Sequence, residues 1–322
     1  MTVVAQGRGR ATRELGARRL GIVGAPSSIG IRPYDESGEA RQLDRAPGVL
    51  RELGLVARLD ADDLGDVTPP GYRDFTRPPG GVRNEAGVAA YSRALADRIA
   101  LGLDGGRFVL VLGGDCSIVL GCLLGAMRRP GRTGLAYIDG HADFATPAES
   151  VTGSAASMCL ALAVGRGDST LARLAGATSL VQAQDVALIG RRDEGQPYGH
   201  RALDVSGILD VPAAVLSATG GAAVASTVLE RIDGAGVGGF WIHVDADVLD
   251  PRVMPAVDSP EPGGPGIDDL VELITPLVDH PRALGMQLTI YDPLLDPDRA
   301  AAVRLVALLE RVLQHRSAGV RR

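Results

Sequence analysis

Residues 135–144 read Leu-Ala-Tyr-Ile-Asp-Gly-His-Ala-Asp-Phe, an apolar run that passes directly into alternating polar residues. The polar residues are Asp139, His141 and Asp143, and in extended backbone this spacing places all three side chains on one face. Two carboxylates and an imidazole at the end of a buried strand need a compensating charge. A divalent cation supplies that charge, and this set of donors suits Mn, Fe or Zn better than Mg or Ca.

A second apolar run, residues 239–250, repeats the pattern and leads to His243, Asp245 and Asp247. Two predicted strand ends therefore carry four carboxylates between them. Four acids around one small site favour two metal ions over one. Two metals at roughly 3.5–4 Å can hold one hydroxide between them and polarise a substrate.

Short apolar runs typical of strands alternate with helix-like segments throughout the chain. Strands are predicted at residues 20–24, 55–59, 108–112, 135–139, 186–190, 213–216, 240–244 and 284–289. Helices are predicted at residues 44–53, 84–103, 117–128, 155–164, 222–232, 267–278 and 297–316. The alternation predicts a three-layer α/β fold, in which helices cover both faces of a mostly parallel, eight-stranded sheet.

Ligands of such sheets bind outside the carboxyl ends of the strands. Asp139, Asp245 and Cys116 each lie at or just after the end of a predicted strand, so one site is expected at this edge. Residues 60–82 and 250–266 are rich in Pro and Gly and are predicted to be loops. The second loop follows Asp247 closely and is expected to form a wall of the mouth of the site.

The composition argues against several classes of function. All 33 basic residues are Arg, which excludes a Schiff-base lysine and a Walker-type phosphate loop. The net charge of −6 gives no footprint for nucleic acid, and no apolar run approaches the ~20 residues of a membrane span. Three cysteines without paired spacing predict a reducing, cytoplasmic compartment.

The Arg-rich residues 1–18 are predicted to be a mobile arm, and residues 19–322 a single domain.

Several motifs in order resemble those of the ureohydrolases, the family of arginase, agmatinase and formimidoglutamase. Residues 139–143 are similar to the Asp-x-His-x-Asp motif of that family, and residues 245–251 to its second metal motif. Residues 113–117, Gly-Gly-Asp-Cys-Ser, are similar to its Gly-Gly-Asp-His-Ser motif, with Cys116 where the family has His. The resemblance covers about residues 20–315 and implies the same three-layer fold.

The resemblance implies two divalent ions, most often Mn²⁺, that share six side chains. The first ion would take Cys116, Asp139, Asp143 and Asp245, and the second His141, Asp139, Asp245 and Asp247. A bridging hydroxide would attack the planar carbon of an amidine or guanidine. The predicted catalytic residues are Asp143, as the relay of a proton to the leaving nitrogen, and His141.

Two of the ligand assignments have alternatives. Cys116 would ligate as a thiolate, which makes Zn or Fe possible in place of Mn. The alternative, equally weighted, is that this thiol packs as a small buried hydrophobe. His243 has the side-chain parity of Asp245 and is predicted to hydrogen-bond beneath the metals rather than to ligate one of them.

Two residues that handle the substrate in arginase-type members are replaced in this chain. Ala156 occupies the place of a catalytic His, and Ile290 that of a Glu that holds the guanidinium group. A buried Ile cannot supply the charge-assisted hydrogen bonds that hold a guanidinium. Ordinary arginase activity is therefore not expected.

Cys116 and residues 139–149 resemble a narrower branch of the family that includes N-hydroxy-L-arginine hydrolase. That branch carries acids at three positions where this chain has Ser154, Cys159 and Gln287. A neutral substrate, a different amidine, or recognition by another acid would each explain the change. The predicted substrate-binding residues are Asp258, Glu149 and Gln287. A plain solvated loop acid is the alternative for Asp258 and the favoured interpretation of Glu261.

Two functions of different classes remain open at this point. The first is a binuclear metal-dependent hydrolase that cleaves a C–N bond in a small linear amidine, guanidine or N-hydroxyguanidine. The second is a metal-binding relative without hydrolytic activity, which serves as a ligand binder or partner subunit. The resemblance also implies a homo-oligomer.

Overall fold

The structure is a computed structural model that describes residues 18–34, 38, 40–73, 77, 79–193 and 200–318. Residues 1–17 of the predicted arm lie outside the described residues. Arg18, the last residue of that prediction, donates a hydrogen bond from Nη2 to the carbonyl oxygen of Pro281 at 2.5 Å.

One sheet organises the described part of the chain. Its strands are β1 Leu20–Ala25, β2 Asp62–Asp66, β3 Phe108–Gly113, β4 Thr133–Ile138, β5 Val186–Ile189, β6 Leu209–Val211, β7 Gly239–Asp245 and β8 Ala283–Thr289. The spatial order is β2-β1-β3-β8-β7-β4-β5-β6, and every neighbouring pair is parallel. The predicted eight-stranded α/β fold is confirmed, and the sheet is parallel throughout.

Helices pack on both faces of the sheet. They are α1 Ala46–Glu52, α2 Leu55–Arg58, α3 Glu85–Asp104, α4 Ile118–Ala126, α5 Cys159–Ala163, α6 His200–Asp204, α7 Ala213–Thr219, α8 Gly221–Ala235, α9 Ile267–Asp279 and α10 Ala300–Ala318. The helices α3 and α4 pack against each other, and α9 packs between α8 and α10. The central strands are buried along their whole length because helices cover both of their sides.

Two of the predicted strands are wrong, and both are helical. Residues 55–59 contain α2, and residues 213–216 belong to α7. A short apolar run of Ala, Val and Leu suits a buried helix as well as a buried strand, so periodicity does not separate the two. Pro212 directly before α7 is a signal that favours the helix, since it cannot donate to a sheet ladder.

The two strands that replace them lie at the edges of the sheet. The strand β2 lies in the predicted loop 60–82, and β6 has three residues. An edge strand pairs on one side only and is partly exposed, so it needs few apolar residues and gives a weak pattern. Loop 250–266 is irregular as predicted, apart from a bridge between Val257 and Tyr291.

Among the described residues, no single helix is both long and apolar enough to cross a membrane. The pair α7 and α8 reaches that length and apolarity together, with a bend of 113° between the two helices.

Candidate metal centre

Neighbouring strand ends bring the two acidic motifs together. The strands β4 and β7 pair with Ile138 opposite Val244, so the next residues, Asp139 and Asp245, leave the sheet side by side. Asp245 is also the N-cap of a short 3-10 turn, Ala246–Val248, and this turn carries Asp247. The prediction that Asp139 and Asp245 meet at one edge of the sheet, because both follow strand ends, therefore agrees with the structure.

A third strand end delivers Cys116 to the same place. The strand β3 ends at Gly113, and Cys116 lies in the turn before α4. Its Sγ donates a hydrogen bond to Oδ2 of Asp245 at 2.6 Å and lies 3.5 Å from the hydroxyl of Thr289 at the end of β8. The thiol is thus directed at a carboxylate and is not packed only among hydrophobic groups.

Buried Asp115 holds this turn in position. Its carboxylate accepts hydrogen bonds from the hydroxyl of Ser27 and from the backbone N–H groups of Gly30 and Ser117. Gly114 is required here because a Cβ would lie 1.7 Å from the carbonyl oxygen of Ser27. The loop after β1 and the turn after β3 are therefore fixed to each other beneath the cluster.

Two groups of side chains have donor atoms within 4.8 Å of one another, the spacing that one metal ion requires. They are Cys116 with Asp139, His243 and Asp245, and Asp139 with His141 and Asp247. Asp139 belongs to both groups. Five of the six predicted ligands are thus in place, and metal binding by them stays a prediction.

Asp143 is the sixth predicted ligand and lies in neither group. Its Oδ2 accepts a hydrogen bond from the hydroxyl of Tyr137 at 2.6 Å, and its backbone has a φ of +46°. This left-handed conformation is uncommon outside glycine, although Asp tolerates it better than most residues. The side chain lines the cavity above the cluster, where a proton relay would have to lie.

The second group is closely bonded as well. Nδ1 of His141 lies 3.0 Å from Oδ2 of Asp247 and 3.7 Å from Oδ1 of Asp139. The N–H of His141 donates to the same Oδ1 of Asp139 at 2.7 Å, and the N–H of Asp247 donates to Oδ1 of Asp245 at 2.8 Å. Backbone donors thus hold both carboxylates that are common to the predicted ion sites.

The pKa values of the cluster indicate that its buried acids are stabilised by positive charge or by protons. Burial raises the pKa of Asp245, and the charges of Asp247 and Asp139 raise it further. Burial and then the charge of Asp139 raise the pKa of Asp143 in the same way. Burial lowers the pKa of His141, but attraction to Asp247 and Asp139 outweighs it, and that pKa lies above the ordinary 6.5. The residues present therefore fit cations, which can take the place of the protons that the cluster would otherwise hold.

Asp139 differs from the other acids. Burial raises its pKa, but hydrogen bonds from His141 and His243 outweigh this effect, so the pKa lies below its ordinary value. This carboxylate is the most readily ionised of the cluster, which suits a ligand shared by two ions.

A cavity of about 830 Å³ opens above the cluster. Its size is in the range of small-molecule sites. Much of its wall is apolar, with contributions from Ile31, Phe144, Val151, Val257, Ile290 and Leu295. Ala156 and Ser154 also line it, so both replaced positions, 156 and 290, do face the site.

Of the three predicted substrate-binding residues, only Asp258 lines this cavity. Its carboxylate is already paired with the guanidinium of Arg41, at 2.6 and 2.7 Å. Asp258 is therefore not a plain solvated acid, because it already has a cationic partner within the protein. The other candidate in the loop, Glu261, also lines the cavity.

The structure does not support substrate contact by Gln287 or Glu149. Gln287 is fully buried below the cluster, hydrogen-bonded to Trp241 and His243, and does not line the cavity. Glu149 lies outside the cavity lining as well, and its Oε2 accepts from both the N–H and the hydroxyl of Thr146 at 2.8 Å. Gln287 was selected by its resemblance to an acidic position of the family, and a resemblance gives no information on how deeply a side chain is buried in this chain.

Three further residues of the site were missed from the sequence. Arg32, Arg41 and Asp193 line the cavity, and the carboxylate of Asp193 accepts from the N–H of Ala142 at 2.9 Å. Asp193 follows β5 closely, so the rule that selected Asp139 and Asp245 would also have found it. Arg41 carries no comparable local signal.

An all-parallel sheet with this acidic cluster at neighbouring strand ends, beneath a cavity, defines an arginase-like α/β hydrolase. The arginase family model matches residues 18–313. The chain is 30% identical to an arginase from Brevibacillus brevis over 301 residues, which cover 92% of this chain and 97% of the relative. It is also 30% identical to an arginase from Bacillus caldovelox, over 88% of this chain and 96% of that one. The solved structure of the B. caldovelox arginase superposes with a TM-score of 0.81 at 27% identity, over 92% of this chain and 98% of the other. This chain belongs to the arginase family.

Proposed function

We propose that this protein is a binuclear metal-dependent hydrolase of a linear amidine whose reacting group is less basic than a guanidine and gives up its proton more readily, such as an N-hydroxyguanidine, and not an ordinary arginase. The observation that carries the proposal is a buried cluster of possible metal ligands beneath a cavity whose wall carries Ile290 and Ala156. Family membership supports hydrolysis of a C–N bond, and Ile290 and Ala156 in the lining argue against a cationic guanidinium as the substrate.

Cys116, Asp139, His141, Asp245 and Asp247 would hold the ions, with Asp143 at their edge. When bound, two divalent ions supply an activated water near neutral pH and polarise the substrate. Mn²⁺ is the proposed metal, and the sulfur of Cys116 makes Zn²⁺ or Fe²⁺ an alternative.

The side chains of the protein would perform three tasks in this reaction. The apolar wall around Ile290 excludes water and favours a neutral group over a guanidinium. Asp143, which is held by the hydroxyl of Tyr137, is placed to accept a proton and to deliver it to the leaving nitrogen. The ion pair of Asp258 with Arg41 forms part of the cavity wall, and the two charges offset each other.

Metal analysis followed by a substrate screen tests the proposal. The purified chain would be reconstituted without oxygen with Mn²⁺, Zn²⁺ or Fe²⁺ and offered guanidines, N-hydroxyguanidines and formimino compounds. We expect two ions per chain and faster hydrolysis of N-hydroxyguanidines than of L-arginine. Asp245→Asn should lose metal and activity together, whereas Asp168→Asn, at a side chain that is 96% exposed, should lose neither. Full activity of Asp245→Asn would rule out the mechanism.

One observation favours a second candidate, a metal-binding relative without hydrolytic activity. Both positions at which arginase-type members handle the substrate carry apolar residues here, Ala156 and Ile290. Stoichiometric metal together with no turnover of any amidine would support this candidate. Assembly as a homo-oligomer in the cytoplasm is proposed for either function, by analogy with the family.

A further inference from the structure

A chain of buried hydrogen bonds runs beneath the cluster and ends at Asp139. The indole Nε1 of Trp241 on β7 donates to Oε1 of Gln287 on β8 at 2.9 Å. Nε2 of Gln287 lies 2.9 Å from Nδ1 of His243, and Nε2 of His243 lies 3.4 Å from Oδ2 of Asp139. All four side chains are at most 1% exposed, so no water competes for these bonds.

The chemistry of the first residue sets the direction of the whole chain. An indole N–H can only donate, so the oxygen of Gln287 must face Trp241 and its NH₂ group must face His243. The NH₂ group can also only donate, so Nδ1 of His243 must accept. A neutral imidazole that accepts at Nδ1 carries its proton on Nε2, and Nε2–H then donates to Asp139.

We propose that Trp241 and Gln287 lock His243 as the Nε2–H tautomer, and that His243 is a positioning residue that holds Asp139 without ligating a metal. The inference rests on the proposed metal site. Distance alone would admit His243 as a ligand, because its ring lies within 4.8 Å of the donor atoms of Cys116, Asp139 and Asp245. The proton on Nε2 excludes it, because the nitrogen that faces the cluster has no free lone pair.

The neighbours of His243 support the same role. The ring of Tyr137 stacks on the imidazole with centroids 4.1 Å apart and planes 17° apart, which fixes the ring plane. Asp139 is held at its other oxygen by the N–H of His141. The carboxylate is thus held from both sides, and a neutral donor does this without the repulsion that an imidazolium would exert on incoming cations.

Gln287 is the residue that decides between donor and ligand. A carboxylate at this position could only accept, both from Trp241 and from His243. The proton of His243 would then move to Nδ1, and the lone pair of Nε2 would face the cluster. A change of one side-chain group, amide to carboxylate, would therefore convert His243 from a hydrogen-bond donor into a possible metal ligand.

The tautomer can be observed directly by ¹⁵N NMR of the full-length chain labelled at histidine. We expect His243 to be the Nε2–H tautomer in the metal-free protein and to remain so when Zn²⁺ is added. In Gln287→Glu the signal should change to an Nδ1–H or doubly protonated ring. Gln184→Glu, which adds the same charge at an exposed glutamine, should leave it unchanged. An Nδ1–H tautomer in the unaltered protein, or loss of the Nε2 proton on Zn²⁺ addition, would overturn the proposal.

Metal affinity gives a second readout that does not depend on turnover. Gln287→Met keeps the volume but removes both hydrogen bonds, and we expect Zn²⁺ binding measured by calorimetry to weaken by about 10- to 100-fold. Unchanged affinity in Gln287→Met would contradict the positioning role. A protein that hydrolyses no amidine would contradict the proposed function and leave the tautomer result standing, so the two failures are distinguishable.

Discussion

Cys116 places a soft sulfur among hard carboxylate oxygens. Burial raises the pKa of its thiol, and the charge of Asp245 raises it further, so without a cation the sulfur keeps its proton and donates it to Asp245. A cation that binds here must displace that proton. Zn²⁺ binds thiolate more tightly than Mn²⁺ does. At this position Zn²⁺ should therefore displace the proton of the thiol more readily than Mn²⁺.

Cobalt absorption tests whether Cys116 is a ligand. Titration of the metal-free protein with Co²⁺ should produce a thiolate-to-metal charge-transfer band, because a bound thiolate transfers charge to the ion. Cys116→Ser should lack this band. Cys122→Ala, at a buried cysteine within α4, should keep it. If the band persisted in Cys116→Ser, the sulfur of Cys116 would not be a metal ligand and would serve only in packing.

Ile290 has an unusual backbone conformation for a residue in the cavity wall. It is 4% exposed, it has a φ of +66°, and it is β-branched. A β-branched residue at positive φ is a strained outlier of the kind that clusters at functional sites. A β-branched residue disfavours this backbone conformation, so the presence of Ile290 here carries an energetic cost.

The variant Ile290→Glu tests whether this position excludes a guanidinium. The new carboxylate should offer charge-assisted hydrogen bonds worth about 1.5–3 kcal/mol, or roughly a 10- to 100-fold gain in affinity. Binding of methylguanidine to the Zn²⁺-loaded protein, measured by calorimetry, is the readout. Ile290→Gln has nearly the same shape without the charge and should show no such gain. Equal affinities of the two variants would mean that position 290 does not contact the reacting group.

The sequence predicted the residues of the cluster better than those around it. Asp139, Asp245 and Asp247 follow apolar strands directly, and strand ends meet at one edge of a parallel sheet. The partners of the cluster come from distant parts of the chain. Arg41 reaches Asp258 over 217 positions, and no local pattern predicts such a pair.

At the scale of elements, one arginine joins the segments that surround the second ion group. The guanidinium of Arg192, just beyond β5, donates to the carbonyl oxygens of Asp247, Val248, Leu249 and Glu261 at 2.7–3.3 Å. These carbonyls belong to the turn after β7 and to loop 250–266. Arg192 therefore fixes the backbone of Asp247 relative to the cavity wall.

The variant Arg192→Met should loosen this junction. It keeps the apolar stem but leaves carbonyl oxygens without donors, at a cost on the order of 1–3 kcal/mol for each buried group that stays unsatisfied. Unfolding in urea should show the loss, and metal affinity of the intact protein should fall with it because Asp247 is less well held. Arg252→Met removes an arginine of loop 250–266 whose side chain is 88% exposed and pairs with the neighbouring Asp250, and loss of such an exposed ion pair should cost much less stability. If both variants lost similar stability and metal affinity, Arg192 would have no special role in holding Asp247.

The elements themselves were predictable to the extent that they are buried on both sides. Six predicted strands, at the places of β1, β3, β4, β5, β7 and β8, are confirmed because a fully covered parallel strand is a continuous apolar run. The edge strands β2 and β6 are not covered on both sides, so they do not need a continuous apolar run. Their positions follow from pairing with β1 and β5, which is information that the local sequence does not contain.

At the scale of the whole molecule, the acidic cluster opposes the stability of the fold that surrounds it. Asp139, Asp245 and Asp247 lie at neighbouring strand ends and are at most 4% exposed, and Asp143 lines the cavity beside them. Ionising them without compensation is costly in a buried setting. Protons or cations must therefore accompany folding, and the two compete for the same groups.

The stability of the metal-free protein should accordingly fall as pH rises. The folded-state pKa values of Asp245 and Asp143 are raised above the ordinary 3.8, mainly by burial, so their contribution is present below 3.8 and is lost as pH rises through the raised values. The pKa of His141 is raised above 6.5 despite its burial, by attraction to Asp247, and its contribution is lost in the same direction as pH rises through the raised value. The lowered pKa of Asp139 acts oppositely, but only as pH falls below its ordinary 3.8.

Urea unfolding of chelator-treated protein from about pH 4 to about pH 8 measures this dependence. We expect stability to decline over that range, and the stabilisation by added Zn²⁺ to grow with pH because the cation replaces protons that have been lost. Asp245→Asn stays neutral at every pH and should flatten the decline, whereas Asp104→Asn, at a side chain that is 68% exposed, should follow the unaltered protein. If the metal-free protein grew more stable towards pH 8, or if Asp245→Asn declined as steeply as the unaltered chain, the carboxylates at these strand ends would not be competing for protons and cations, and the electrostatic basis of the metal site would be wrong.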